Sequence, residues 1–437
     1  MKVVELFTGI GSQAKALKRL SLRDNIKFTI LKTCEWNIHA IVAYHLIHNN
    51  GVFSNSIDKL SRESLINLLS NFSLSLDGKA PLKKKTLNLF DMETLKAIYN
   101  SIIYNNNLVN IKEVTGDDIP DDTDILTYSF PCQDLSNVGS FHGYKNGIDR
   151  DKNTRSGLLW EVERILVEKK ENSNRLPNFL ILENVTALEA QRHNGNFVEW
   201  QKKLSELGYV NKVYKLNAID FGIPQYRNRL IMISVQVGNS STLKDKVDEF
   251  FLAHDLNDPV YLEKLRIKKI PLSKLLRTDY SNPTFLGEAI TSQPNNTDSR
   301  NKIWVNNSKI IDEHFKLAKK VQTITTKQDR HPNSGNLYFD KGDTNKSSFR
   351  FLTPRECFLL MGFDELDYEK LAYSNLKNIR NGEFFTRDIN YKLAGNSIVV
   401  NILEQVFSQI IAINKIITSS KFDNITSRHS IQHVIND

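Results

Sequence analysis

The feature that most constrains this chain is a series of short apolar segments separated by helix-forming text. Residues 3–7, 28–34, 125–130, 179–182 and 230–235 are brief and apolar, as strands buried on both faces are. Residues 12–20 carry the helix formers Ala14, Ala16 and Leu17, and residues 38–48 read as a second helix. Ser156 is placed to cap a helix whose stripe is Leu158, Leu159, Val162, Ile165 and Leu166. A further helix over 197–207 stops at Gly208. Strands that alternate with helices predict an α/β fold, a largely parallel sheet covered on both faces.

Two stretches break the rhythm. Residues 49–114 are polar and helix-prone, include Lys83, Lys84 and Lys85, and read as an insertion between strands. From about 258 to 387 the alternation disappears, and Pro271, Pro283, Pro294, Pro332 and Pro354 are spread through polar text. The expected organisation is a first domain over 1–257 and a smaller second one over 258–387. An apolar helix within 388–420 then returns to the first sheet, and 421–437 is a polar tail.

At 437 residues and 40% apolar content, the chain can bury a sizeable core. The sequence shows no unbroken apolar run of about 18 residues, so no membrane span is expected. It enters a strand-like segment at once, with no signal or transit peptide ahead of it, which predicts a cytoplasmic protein. Cys34, Cys132 and Cys357 lie far apart and form no CxxC pair, which argues against a disulfide framework and a cysteine-rich zinc site. The net charge of +8 suits a polyanion such as nucleic acid, although many basic proteins bind none.

The motifs sit at strand ends. Phe7-Thr8-Gly9-Ile10-Gly11-Ser12 follows the first strand, where glycines let backbone approach a nucleotide-like ligand and a helix N-terminus offers N–H groups. The third glycine of the dinucleotide fingerprint is missing, so a plain tight turn is an equal reading. Glu35-Trp36 ends the second strand. Glu35 could accept hydrogen bonds from ribose hydroxyls and Trp36 could pack on adenine, unless Glu35 is only a solvated strand end. Ser129-Phe130-Pro131-Cys132-Gln133-Asp134-Leu135-Ser136 leaves a buried strand. Cys132 there is a candidate nucleophile, against the commoner reading of a lone cysteine as a small core residue. Glu183-Asn184-Val185 ends the next strand on the same edge, placing a carboxyl group where its pKa could rise. In Gln225-Tyr226-Arg227-Asn228-Arg229, the two arginines share one face if extended, two guanidinium forks side by side or two rim ion pairs.

Taken in order, FTGIGS, EW, GDD (Gly116, Asp117, Asp118), SFPCQDLS, ENV, QYRNR and GNSIVV (from Gly395) resemble the DNA cytosine-5 methyltransferase family over nearly the whole chain. PCQ, ENV and QxRxR together carry that resemblance. Residues 153–165, NTRSGLLWEVERI, are similar to bacterial members attached to restriction–modification systems. The resemblance implies a Rossmann-like S-adenosylmethionine-dependent methyltransferase fold, a mixed seven-stranded sheet with a smaller target-recognition domain and DNA in the cleft between them. It places Phe7, Gly9, Ile10, Gly11, Glu35, Trp36 and Asp117 in the S-adenosyl-L-methionine pocket, with Asn396 and Ser397 closing its far side. GDD stands where GDI is commoner, so Asp118 competes with Asp117. Ser12 stands where many members have glycine, which allows a different approach of the methionine carboxylate.

The implied chemistry has the Cys132 thiolate add to carbon 6 of a flipped cytosine, with Glu183 holding a proton at ring nitrogen 3. Arg229 bonds the carbonyl oxygen, Arg227 orients thiol and ring, and the loop over 133–153 closes as a lid. No metal is expected. The partner is double-stranded DNA, with a cognate restriction endonuclease as a functional rather than physical partner and a monomeric enzyme. In the second domain Arg300, Lys327, Gln328, Arg330, His331 and Asn333 are candidate base or phosphate readers, and Cys357 reads as core. Three other readings stand beside this one: a transfer RNA cytosine methyltransferase, a DNA-binding regulator without catalysis, and a nicotinamide-dependent oxidoreductase.

Overall fold

The computed structural model describes residues 1–52, 54, 57–131, 156–173 and 175–434. The central sheet contains β1 (Lys2–Leu6), β2 (Thr29–Cys34), β3 (Ile125–Tyr128), β4 (Phe179–Asn184) and β5 (Tyr209–Asn217). After the two-residue β6 (Gln225–Tyr226) it is completed by β7 (Asn228–Gln236). The strand order is β2-β1-β3-β4-β7-β5. Pairing is parallel from β2 through β4, and β7 runs antiparallel to both neighbours. β1 and β3 are buried on both faces, which is why they read as apolar runs without alternation. From β1 the chain turns to β2 on one side, while β3 lies on the other. The crevice at their carboxyl ends is therefore a topological switch point, where open α/β sheets bind ligands.

The resemblance implied seven strands, and the described residues form six. Outside β2, Asn107 makes only a single parallel bridge with Thr33, and the Leu108 amide donates to the Thr33 carbonyl at 2.8 Å. Three consecutive asparagines, Asn105 to Asn107, are poor strand formers, and Asn107 spends its side chain on Glu35 instead of a ladder.

Residues 49–114 lie between β2 and β3 but are not a solvated excursion. Helices Arg62–Leu69 and Met92–Tyr104 bury Leu65, Leu69, Leu95 and Ile98 in the same core as Ile41 and Ile47 of helix α2 (Ile38–Asn49). Their amphipathic spacing was diluted by the many asparagines and serines around them. Lys83, Lys84 and Lys85 are exposed.

Beyond β7 stands a second, smaller sheet. β8 (Lys309–Ile311) pairs with β10 (Asn336–Tyr338), which pairs with β11 (Phe349–Phe351), while β9 (Val321–Gln322) runs parallel to β6. Thr353 and Glu356 form a capping box that starts helix Pro354–Leu360, all of whose residues are buried. Arg350 of β11 meets Glu356 through two bonds of 2.8 Å, both side chains fully buried. Cys357, Phe358 and Leu360 join the core of the large sheet. The span 258–387 thus contains both the small sheet and a segment built into the first core.

The returning helix is longer than the apolar text suggested, Val400–Val434. Segment Arg387–Ser419 is long and apolar enough to cross a membrane, with an 18-residue window of mean hydropathy 1.4, but most of that window is buried within the protein. Ile402, Leu403, Val406, Phe407 and Ile410 are fully covered, and Glu404 meets Arg19 of helix α1 (Ser12–Asp24) at 3.0 Å. A core helix explains that hydropathy.

Candidate active site

β1 leads into a turn with three left-handed residues, Phe7 (φ 58°), Gly9 (φ 57°) and Gly11 (φ 81°). An aromatic residue held at positive φ stores strain of the kind that clusters at ligand sites. Nothing lies within 4 Å of where a Cβ on Gly9 would stand, so the backbone is open to a ligand there. Gly11 is fixed by packing, because a Cβ would fall 2.3 Å from His48 Nε2 and 2.7 Å from the Tyr44 ring. Ile10 is buried, and its carbonyl lies 3.0 Å from His48 Nε2.

Glu35 closes this turn from the end of β2. One carboxylate oxygen accepts from the Gly9 amide (3.1 Å) and the other from Asn37 (2.8 Å). Burial pushes the Glu35 pKa up, and the amides of Asn37, Gly9 and Trp36 with the charge of Lys392 restrain the rise. Each oxygen keeps a second lone pair for ribose hydroxyls. Asn107 clasps the backbone of the same corner, accepting from the Glu35 amide and donating to its carbonyl, both at 3.0 Å. Phe7 and Trp36 are half-buried at the ends of β1 and β2. The open glycine turn, the anchored acid and two aromatic faces fit an adenosine-bearing group.

Asp117 is exposed and accepts from Asn172 at 2.9 Å. Asp118 caps its own turn, one carboxylate oxygen accepting from the Thr115 amide and hydroxyl at 2.9 Å, while Lys32 lies 3.9 Å from the other. Neither is joined to Glu35 by a hydrogen bond among the described residues. Asn396 is exposed at the end of helix Arg387–Asn396, while Ser397 is buried with its hydroxyl on the Leu393 carbonyl (2.8 Å).

On the other side of the switch point, the strand ends are laced together. The Ser129 hydroxyl donates to the Phe7 carbonyl at 3.3 Å, and Asn184 donates to the Phe130 carbonyl at 3.1 Å. The chain leading to Pro131 is thus tied to both the glycine turn and the end of β4. Cys132 and the expected lid over 133–153 lie outside the described residues.

Glu183 pairs in register with Ile231 of β7, so Arg229, two residues earlier, is its diagonal neighbour on the same face. Arg229 Nε stands 3.2 Å from Glu183 Oε1, with both side chains only 12–13% exposed. Burial raises the Glu183 pKa, and Arg229 and then Arg227 oppose the rise. A buried acid whose pKa is raised beside a guanidinium is suited to hold a proton on a ring nitrogen.

Arg227 departs from the expected twin fork. It is buried, and its guanidinium donates to the carbonyls of Ile324 (2.8 Å), Gly395 (3.1 Å) and Ser397 (2.7 Å). These three bonds hold the backbone around the site, and the Arg227 charge also acts on Glu183. Gly395 is required beside it, since a Cβ there would meet the backbone of Thr325 and Thr326 at 2.5 Å. Gln225, fully buried, completes the joint by donating to the Leu360 carbonyl (2.8 Å) and accepting from the Ile324 amide (2.9 Å).

Sequence reasoning missed Glu5 and Asn107. Glu5 is fully buried in β1 with the Tyr44 hydroxyl on one oxygen at 3.0 Å, and burial lifts its pKa to about 7. An acid inside an apolar strand was the available signal. Nothing local marks Asn107. Among the candidate readers, Gln328 and Asn333 are buried and bonded to each other's surroundings, Asn333 Nδ2 donating to the Gln328 carbonyl at 2.8 Å. They shape the loop from inside and are not placed to read bases. Arg330 pairs with Asp329 (3.7 Å), Arg300 lies 3.6 Å from the same carboxylate, and His331 bonds Asn307 (3.0 Å). Lys327 is exposed.

The mixed sheet, its glycine turn with an acid at the end of the second strand, and a buried carboxyl–guanidinium pair across the switch point define a Rossmann-like transferase. A family model described as C-5 cytosine-specific DNA methylase matches residues 69–412. The chain is 32% identical over 420 residues to the orphan methyltransferase M.SssI of Spiroplasma monobiae (strain ATCC 33825 / MQ-1), covering 94% of this chain and 97% of that one. It is 30% identical over 412 residues to the type II methyltransferase M2.ScrFI of Lactococcus lactis subsp. cremoris, covering 94% and 99%. The crystal structure of S. pombe Dnmt2 methyltransferase shares the fold, with TM-score 0.55 and 18% identity over 94% of this chain and 98% of that one. The chain belongs to the C-5 cytosine-specific DNA methylase family. It is a DNA cytosine methyltransferase with S-adenosylmethionine as methyl donor.

Proposed function

We propose that this enzyme methylates carbon 5 of a cytosine in a specific sequence of double-stranded DNA, after turning the base out of the helix. The observation that carries the reading is the buried Glu183–Arg229 pair, tied through Asn184 to the backbone that leads to Pro131 and Cys132. Glu35, Trp36, Phe7 and the Gly9–Gly11 turn hold the donor, and Asn396 and Ser397 close the far side. When bound, S-adenosylmethionine supplies an electrophilic methyl group. Asp117 is the weakest member of this set, because its carboxylate faces Asn172.

The protein's own groups activate the base. The Cys132 thiolate forms a bond to carbon 6, and the displaced electron pair makes carbon 5 nucleophilic. Glu183 holds a proton at ring nitrogen 3, so that charge does not accumulate in the ring. Arg229 donates to the base carbonyl oxygen while restraining Glu183. Arg227 acts through position, fixing the Ile324 and Gly395–Ser397 backbones around the pocket. After carbon 5 is methylated, its proton is lost, the carbon–sulfur bond breaks and the thiolate is restored. The chemistry requires no metal.

The enzyme acts as a monomer on cytoplasmic, nucleoid DNA, and any cognate endonuclease is a functional partner only. Bisulfite sequencing of plasmid DNA from cells expressing the chain tests the reading. One cytosine context should be fully protected, and a Cys132→Ser variant should protect none. Unprotected DNA, with methylated transfer RNA from the same cells, would reverse it.

A further inference from the structure

The catalytic motif continues into a surface that the chemistry above does not use. Tyr226, between Gln225 and Arg227, points its ring outward at 43% exposure, and Lys320 Nζ lies over that ring at 4.8 Å. Lys320 immediately precedes β9, whose Val321 and Gln322 pair with Gln225 and Tyr226. The segment before it folds back as a tight loop. Ile311 and Leu317 bridge in antiparallel fashion, and the Asp312 carboxylate accepts from the amides of His314 (3.0 Å) and Lys316 (2.9 Å).

At the tip stands Phe315, held at φ 58° and 75% exposed, touching the protein edge-on at Tyr338, with ring centroids 5.5 Å apart. A left-handed backbone and a wetted aromatic ring are both unfavourable in an isolated protein. Lys316, Lys319 and Lys320 flank it, all exposed, and none has a carboxylate within ion-pair distance among the described residues. Asp312 and Glu313 are the acids of the stretch, and Asp312 is engaged by the loop's own amides.

We propose that this loop, with Tyr226, is a DNA-backbone clamp beside the active site, in which Lys316, Lys319 and Lys320 neutralise phosphates and the Phe315 ring packs on the adjoining sugar and base edge. The inference rests on the function proposed above. Three ammonium groups without a carboxylate partner among the described residues complement a polyanion, and the loop is continuous through β9 and β6 with Arg227 and Arg229. The aromatic tip suits nucleic acid, where such rings serve as wedges or stacking faces.

The test is salt-dependent binding of the full chain to a fluorescently labelled mixed-sequence duplex. In the Lys316→Ala/Lys319→Ala/Lys320→Ala variant, the slope of log affinity against log salt should shrink by about 2 to 3, near 0.9 per phosphate contact. An unchanged slope overturns the clamp. Phe315→Asn, a residue that tolerates left-handed backbone, should weaken binding about fivefold to tenfold without lowering thermal stability. Wild-type affinity in that variant removes the ring from the proposal, and a fall in melting temperature would mark it as a core residue instead. Donor binding measured without DNA should be unaltered in both. If wild-type protein methylates plasmid DNA while the variants bind as it does, the clamp alone fails; if wild type does not methylate, the function itself fails.

Discussion

The two halves of the cleft are built on different principles. The donor half is local apart from Asn396 and Ser397: the Phe7–Gly11 turn and the Glu35 corner lie at the ends of the first two strands, and Glu35 reaches the Gly9 amide across one hydrogen bond of 3.1 Å. The base half is assembled from distant pieces. Arg227 bonds carbonyls at 324, 395 and 397, Gln225 bonds 324 and 360, and Glu183 meets Arg229 across an antiparallel pair. The donor half should therefore tolerate damage elsewhere, whereas the base half depends on the recognition side being docked.

The largest effect should come from the base half. Glu183→Gln keeps the shape and removes the acidic proton, and should lower kcat by about 100-fold to 10,000-fold, with donor affinity little changed. Because burial raises the Glu183 pKa, wild-type activity should fall as pH rises through that raised pKa and the proton leaves. The variant should lack this alkaline limb in a pH–rate profile. A preserved limb would assign it to another group.

Arg227→Lys retains charge without the fork that serves three carbonyls. It should destabilise the protein by about 2–4 kcal/mol in urea unfolding, by leaving buried carbonyls unpaired. It should also slow methylation more than it weakens donor binding. Equal loss in both would mean that the halves are less separate than described.

Glu5 sits under the donor turn, and its pKa of about 7 makes it a pH-dependent burden. A raised folded-state pKa gives stability that is fully present below the unfolded value of 4.5 and lost as pH rises through about 7. Glu5→Gln should match wild type near pH 4 and exceed it at pH 8 by about 3.5 kcal/mol, from a pKa rise of about 2.5 at about 1.4 kcal/mol each. Thermal denaturation at the two pH values reads this directly.

The smallest effect should be on the donor half. Glu35→Gln loses the charge and keeps an acceptor for only one of the two backbone amides, and should raise the donor dissociation constant about tenfold in calorimetry. Its DNA affinity should be unaltered.

The same contrast explains what was legible in the sequence. β1, β3, β4 and β7 could be read because central strands are continuous apolar runs, and the motifs stood at their ends. The glycine turn and Glu35 were legible because spacing along one βαβ unit fixes their distance. Arg227 was not, because its role depends on carbonyls almost 100 and 170 residues away. Residues 49–114 read as helix-prone, but asparagine and serine around the apolar stripes hid their place in the core, which comes from packing against α2. Gln328 and Asn333 looked like surface readers because a polar loop gives no sign of which amides turn inward.

The central claim, a covalent bond between Cys132 and carbon 6 of cytosine, has a direct measurement. DNA carrying 5-fluorocytosine at the methylated position stalls release, because fluorine cannot leave as the proton does. Incubated with S-adenosylmethionine, the protein should form a stable adduct whose cross-linked peptide maps to Cys132 by mass spectrometry, and Cys132→Ser should form none. An adduct on another residue, or methylation by the serine variant at the wild-type rate, would contradict the account.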